Sequence, residues 1–282
     1  MTLPITTPAP TRDELRFQFG KNWARFLAVL DDERVAEAER SLTEMLEVSD
    51  LRGLSFLDVG SGSGLFSLAA RRLGAKRVHS FDYDTDSVAC TRELRRRFHA
   101  NDPDWTIDQG SVLDAPYLKS LGTFDVVYSW GVLHHTGDMW RALANVTDLV
   151  NPGGRLFIAI YNDQGSTSRR WLTVKRLYNR GPALVRAGLL ITIGTYFAGH
   201  AVLGRLKRWL NPVPPTWWER KKYRGMSVWH DLVDWVGGYP FEVATPDKVF
   251  DFYRTRGFAL RQLKTVGGGL ANNQFVFVRA VD

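Results

Sequence analysis

The sequence predicts an α/β fold: a seven-stranded, mostly parallel sheet with helices on both faces, plus an inserted helical lid subdomain. Two observations give the sheet. Short apolar runs alternate with helical periodicity from Ser55 to Tyr161, and the same rhythm returns at Pro246. Strands that alternate with helices in this way specify parallel pairing with both faces covered. A third observation gives the insertion. The stretch between those two regions is aromatic and basic, and it is too long for a bare connection in a compact domain.

The elements follow in order. Met1–Thr11 is rich in Thr and Pro and lacks the basic-then-apolar order of a secretory signal. Leu15, Phe19, Trp23, Phe26 and Leu30 recur at helical spacing and share one face. Such a stripe reads as core, with cover over an active site as the second reading. Asp31 is placed to cap a further helix running to Leu46. Strands are expected at 55–59, 77–82, 105–109, 124–129 and 155–161, with helices at 63–73, 86–98 and 138–150 between them. Asn151-Pro-Gly-Gly reads as the turn into the fifth strand. A helix at 246–256 and strands at 258–266 and 272–280 close the sheet. The expected division is an N-terminal helical segment at 1–50, a core at 51–162 and 246–282, and the insertion at 163–245.

Composition narrows the setting. Cys90 is the single cysteine, which excludes an internal disulfide and fits a reducing cytoplasm. The net charge of +7 is unevenly spread. Residues 163–245 carry 13 Lys and Arg against 5 Asp and Glu, while the remainder carries 24 against 25. A basic patch confined to one segment suits an anionic substrate or surface, or is a solvated face.

The strongest motif is Phe56-Leu-Asp-Val-Gly-Ser-Gly-Ser-Gly64, which follows a strand and opens a helix. Gly60, Gly62 and Gly64 allow a tight turn and close approach of a ligand where a Cβ would collide. The spacing is not that of the dinucleotide fingerprint, and no Gly-Lys-Ser/Thr follows to make a P-loop. The second strand ends at Asp82, where a carboxylate can accept hydrogen bonds from a ribose diol; Asp84 is the neighbour most easily confused with it. Gln109-Gly-Ser-Val-Leu-Asp114 follows the third strand, where an adenine ring would be edged.

In this order the pieces resemble the class I S-adenosylmethionine-dependent methyltransferases, over 55–161 and the closing strands. The resemblance includes Phe124-Asp-Val-Val-Tyr-Ser-Trp-Gly-Val-Leu-His-His135 and the Asn151-Pro-Gly-Gly turn. It implies a Rossmann-like core with S-adenosyl-L-methionine as cofactor and S-adenosyl-L-homocysteine as product. It implies Asp58, Gly60, Ser61, Gly62 and Gly64 near the methionine end and Asp82 on the ribose. Tyr83, Ser111, Val112 and Trp130 complete the cofactor contacts. Ser111 departs from the acidic residue common at that position. The resemblance is greatest to members that methylate oxygen or nitrogen of small molecules.

Methyl transfer is an in-line displacement on a carbon already activated by a sulfonium, so alignment can supply about 7–11 kcal/mol of the barrier reduction. A base is needed when the acceptor must lose a proton. His134 or His135, after the fourth strand, is one candidate; a loop hydrogen bond or packing is the alternative role. No third ligand at useful spacing accompanies the pair, so no metal is expected. Inside the insertion, His230 and Asp231 are alternative bases and Tyr239 is a substrate contact, set with Asp234 and Glu242 among Trp229, Trp235 and Phe241. The alternative is that these aromatics form the insertion's own core and the acids cap its turns. The apolar run Ala183–Gly204 reads as a buried helical hairpin or, with Arg205, Lys207, Arg208 and Trp209, as a peripheral membrane contact spanning 183–209. The expected partner is a small-molecule acceptor, with a lipid-like one included. RNA held by the basic insertion is the competing reading; against it, no RNA-binding module is recognisable, and the fourth strand reads Ser129-Trp-Gly-Val rather than Asn/Asp-Pro-Pro-Tyr/Phe.

Overall fold

The computed structural model describes residues 17, 19–28, 30–100, 102–210, 228–269 and 271–281. Among them the strands are β1 (Ser55–Val59), β2 (Arg77–Asp82), β3 (Trp105–Gln109), β4 (Phe124–Trp130), β5 (Val150–Tyr161), β6 (Phe258–Lys264) and β7 (Asn272–Arg279). They form one sheet in the order β3-β2-β1-β4-β5-β7-β6. The first five are parallel; β7 runs antiparallel to β5, and β6 antiparallel to β7. The strand order reverses between β1 and β4, so the carboxyl edge opens a crevice there.

The helices are α1 (Gly20–Ala28), α2 (Asp32–Leu46), α3 (Leu65–Arg72), α4 (Thr85–Phe98), α5 (Ala115–Leu121), α6 (Met139–Thr147), α7 (Ser166–Arg180), α8 (Ala183–Leu210), α9 (Val228–Gly237) and α10 (Pro246–Arg254). A 3-10 turn, Leu133–His135, follows β4. Alternation along the strands divides the core. Leu57, Val59, Val127, Leu156 and Ile158 pack with Leu143 and Val146 of α6 and Val249 and Tyr253 of α10. Phe56, Val126, Tyr128 and Phe157 face the other way, onto Leu42 and Met45 of α2, Leu68 of α3 and Leu94 of α4. Helix α2 thus belongs to the central core. Asp31 caps it, accepting from Arg34 N–H at 2.9 Å.

Three local expectations change. Asn151-Pro-Gly-Gly lies within β5, where Gly153 takes φ +73° and the register against β4 shifts between Phe124 and Val126. Helix α5 was not expected, although Asp114 caps it and Pro116 stands in its first turn. In place of a buried hairpin, Ala183–Leu210 is one continuous helix, with Leu184 and Ile191 on its exposed side.

The two ends of the segment expected as an insertion, 163–245, lie side by side. Asp163 N–H donates to Ala244 O at 3.1 Å, and Ala244 N–H donates to Tyr161 O at 3.0 Å.

Candidate active site

The β1–α3 loop is held against the end of β2. Gly60 and Ser61 N–H both donate to Phe81 O, at 2.8 and 3.1 Å. Gly62 N–H donates to one Asp82 carboxylate oxygen at 2.9 Å, and Asp84 N–H donates to the other at 2.9 Å. Asp82 is half-buried. Asp84 has a different job. It caps α4 by accepting from Asp86 N–H, and it accepts Gly20 N–H at 2.9 Å. The two acids are therefore separated by function: Asp82 faces the loop, and Asp84 fastens α1 to α4.

The glycines meet protein neighbours. Gly60 has φ +78°, and a Cβ there would stand 2.4 Å from Val132 Cγ1. Gly62 has φ +55°, and its Cβ would stand 3.0 Å from the Trp23 indole. Their lack of a side chain lets the loop after β4 and helix α1 close on the β1–α3 turn. These contacts give the glycines protein neighbours in Val132 and Trp23. Trp23 stands beside this turn and also packs against the core shared with α2, α3 and α4.

Asp58 is buried beneath α3. Ser67 Oγ donates to its carboxylate at 2.5 Å; Ser67 and Ser80 hydroxyls lie 2.7 Å apart, and Trp105 Nε1 donates to Ser80 Oγ at 2.9 Å. Burial, only partly offset by the Ser67 bond, raises the Asp58 pKa to about 7, and the nearby Asp82 charge adds to the rise. Ser61 is buried, its Oγ 3.0 Å from Thr91 Oγ1.

On the β2 and β3 side, Tyr83 keeps 44% of its surface exposed. Gln109 Nε2 donates to Tyr83 O at 3.3 Å. Ser111 Oγ accepts from Leu113 N–H at 3.1 Å, so its hydroxyl shapes its own turn. Val112 is buried, with its carbonyl held by Asn145 Nδ2 at 2.8 Å. Trp130 ends β4, half-buried.

The two histidines after β4 differ. His134 is fully buried, and its Nδ1 accepts from Tyr161 N–H at 3.4 Å. Its Nε2 has no hydrogen-bond partner among the described residues. Burial first, then the adjacent His135 and Lys175 charges, hold its pKa well below the ordinary imidazole value. His135 is half-buried, and its Nδ1 lies 2.6 Å from Pro240 O. A carbonyl can only accept, so His135 donates to it from Nδ1.

Around the pair stands an aromatic wall. The Tyr161 ring centroid lies 4.0 Å from that of His134, 5.5 Å from that of Trp235 and 5.4 Å from that of Phe241. Lys175 of α7 is fully buried; its ammonium donates to Trp235 O and lies 4.9 Å from the Phe241 ring centroid. Lysine on an amphipathic helix reads as surface, so no sequence signal pointed to it. Glu242 is accounted for locally, since its carboxylate caps α6 by accepting Met139 N–H at 3.0 Å. Tyr239 O accepts Phe17 N–H at 2.9 Å, and the Phe19 ring lies 5.0 Å from His135. The side chains of His230, Asp231, Asp234 and Trp229 lie outside the described residues.

The site tests well against a nucleoside cofactor. A half-buried carboxylate, an exposed ring and a glycine-rich turn meet at the strand-order reversal, the position where open α/β sheets bind ligands.

Residues 57–158 match a protein-family model described as a methyltransferase domain. The chain is 28% identical over 145 residues to the ribosomal protein L11 methyltransferase of Methylococcus capsulatus, covering 51% of this chain and 46% of that protein. It is 31% identical over 113 residues to the ubiquinone biosynthesis O-methyltransferase of Rhizobium etli, covering 40% and 43% respectively. The chain thus spans less than half the length of the curated relatives it matches. Among solved structures, magnesium protoporphyrin IX methyltransferase from Synechocystis PCC 6803 with bound SAH superposes with a TM-score of 0.56 at 14% identity. That comparison covers 95% of this chain and 98% of the other, and shows a shared fold. Over residues 57–158 the chain thus carries a match to a methyltransferase domain, and in fold it is similar to a solved S-adenosylmethionine-dependent methyltransferase.

Proposed function

We propose that the chain methylates a small-molecule acceptor bound between the carboxyl edge of the sheet and the insertion, with His135 taking the acceptor's proton. The observation that carries this reading is the His135 Nδ1–Pro240 O contact at 2.6 Å, which orients the imidazole just after β4. Support for a small acceptor comes from the O-methyltransferase relative; the relative named for a ribosomal protein stands for the alternative class.

Asp82 would hold the ribose, Tyr83 and the Ser111–Val112 turn would flank the adenine, and the 60–64 loop with Asp58 and Trp130 would border the methionine end. Bound there, the cofactor supplies an electrophilic methyl group on a sulfonium. The chain's own part is orientation, exclusion of water and proton removal. The Pro240 carbonyl fixes the His135 ring and favours its imidazolium once formed. Tyr161, Trp235 and Phe241 give apolar walls that keep the reacting oxygen or nitrogen dry. His134 cannot share the base role as it stands, because its Nδ1 lone pair is engaged by Tyr161 N–H and its Nε2 carries the proton.

The test has two stages. S-adenosylhomocysteine is first titrated by calorimetry, and tritiated methyl transfer is then followed over a panel of catechols, hydroquinones and aromatic carboxylates. His135→Gln should slow turnover by about 10²-fold or more with homocysteine-nucleoside affinity kept. A wild-type rate in that variant would remove the base assignment. Methyl transfer to protein or RNA, with none to small molecules, would overturn the acceptor class.

A further inference from the structure

We infer that the outer face of α8 docks on an anionic lipid surface, so that the insertion lies against a bilayer. Three features meet in this helix.

The first is exposure without charge. On α8 the residues Leu184, Gly188, Ile191, Thr195 and Ala198 follow one another at three- and four-residue steps and share one side. All five are exposed, Leu184 to 87% and Ile191 to 64%. From Ala187 to Gly199 there is no charged residue. The opposite side is the one that packs: Phe197 stacks on Trp171 of α7 with ring centroids 6.3 Å apart, and Gly194 abuts Leu232 of α9. The outer face is therefore uncharged and in water, although the inner face has already supplied the helix with its tertiary contacts.

The second feature is the surrounding charge. From Gln164 to Trp218 the sequence holds nine Lys and Arg and no Asp or Glu. Lys175 is buried, but Arg169, Arg170, Arg176 and Arg180 of α7 are exposed. A second copy of the chain is a poor occupant for this face, since it would bring the same unbalanced cations against themselves. Nucleic acid would satisfy the cations but leave the aliphatic side chains without a stacking role. A bilayer with anionic headgroups satisfies both: the cations meet the negative surface potential and the apolar face enters the acyl boundary.

The third feature sets the mode. No helix among the described residues is long and apolar enough to cross a membrane. The proposed mode is therefore a helix lying in the interface plane. This inference uses none of the residues assigned to the cofactor and stands independently of the acceptor's identity.

The experiment is co-sedimentation of the full chain with phosphatidylcholine vesicles and with vesicles that also contain phosphatidylserine. Binding should be about tenfold stronger with phosphatidylserine present and fall as salt rises. Leu184→Asp combined with Ile191→Asp should abolish it. Arg176→Glu with Arg180→Glu should remove most of the preference for phosphatidylserine. Each variant is first titrated with S-adenosylhomocysteine; wild-type affinity there shows an intact core, so a vesicle result is read apart from the methyl-transfer assignment. Absence of sedimentation overturns the inference, as does wild-type sedimentation of the aspartate variant. So does concentration-dependent self-association that the aspartates abolish without any vesicle binding. Tight binding of single-stranded RNA with no vesicle binding overturns it as well.

Discussion

Asp58 should make the protein less stable as the solution becomes less acidic, and Asp58→Asn should remove that dependence. The carboxyl is buried under α3, its pKa raised from 3.8 to about 7 mainly by loss of hydration. The folded state therefore binds this proton more tightly than the unfolded chain does. Below about pH 4 both states are protonated and the full contribution is present. Between about pH 4 and pH 7 the unfolded chain ionises first, and stability falls as pH rises through that window. At about 1.4 kcal/mol for each pH unit, the whole effect is on the order of 4 kcal/mol. Asparagine keeps an oxygen that can accept from Ser67 Oγ and has no charge to bury. Urea unfolding of cofactor-free wild type and Asp58→Asn, measured from about pH 4 to pH 8, isolates this group because the other titrations cancel in the difference. The variant should gain on the wild type steadily across the window. A difference that stays flat with pH, or a carboxyl resonance for Asp58 that titrates near the ordinary value, would refute the argument.

Gly60→Ala should destabilise the chain by about 2–3 kcal/mol, combining the left-handed backbone with the Val132 collision; Val132→Ala in the same chain should restore only the collision part, read by thermal unfolding. Asp82→Ala should weaken S-adenosylhomocysteine binding by at least about tenfold in a calorimetric titration, because it removes a charged acceptor; unchanged affinity would move the ribose contact elsewhere. Asp84→Ala should cost about 1 kcal/mol as a lost α4 cap and also release Gly20, so hydrogen exchange in α1 should accelerate more than in α4.

The sheet was legible because its signals are local. Each parallel strand is a short apolar run bounded by a cap or a glycine, and Asp31 and Asp82 announce their positions by the residues beside them. What was missed depends on contacts distant in sequence. Helix α5 is too short to show a period, so Asp114 and Pro116 had to be read without one. Gly60 and Gly62 were legible as glycines, but their neighbours Val132 and Trp23 come from other segments. His134 and His135 are adjacent in sequence and look equivalent there. Contacts distant in sequence distinguish them: Pro240 O on His135 and Tyr161 N–H on His134. Lys175 is invisible for the same reason, since α9 and Phe241 bury it. For α8, composition alone could not separate a folded-back pair from one long rod.

The N-terminal strap ties the two halves of the site into one mechanical unit. Gly20 is fastened to Asp84, Trp23 rests on Gly62, Phe19 touches His135, and Phe17 is hydrogen-bonded to Tyr239. A ligand that firms the glycine turn thereby firms the residues that hold the imidazole. Occupancy on one side should raise affinity on the other by the same factor in either order of mixing, as reciprocity demands. Clipping the chain before Gly20 should make the two associations independent.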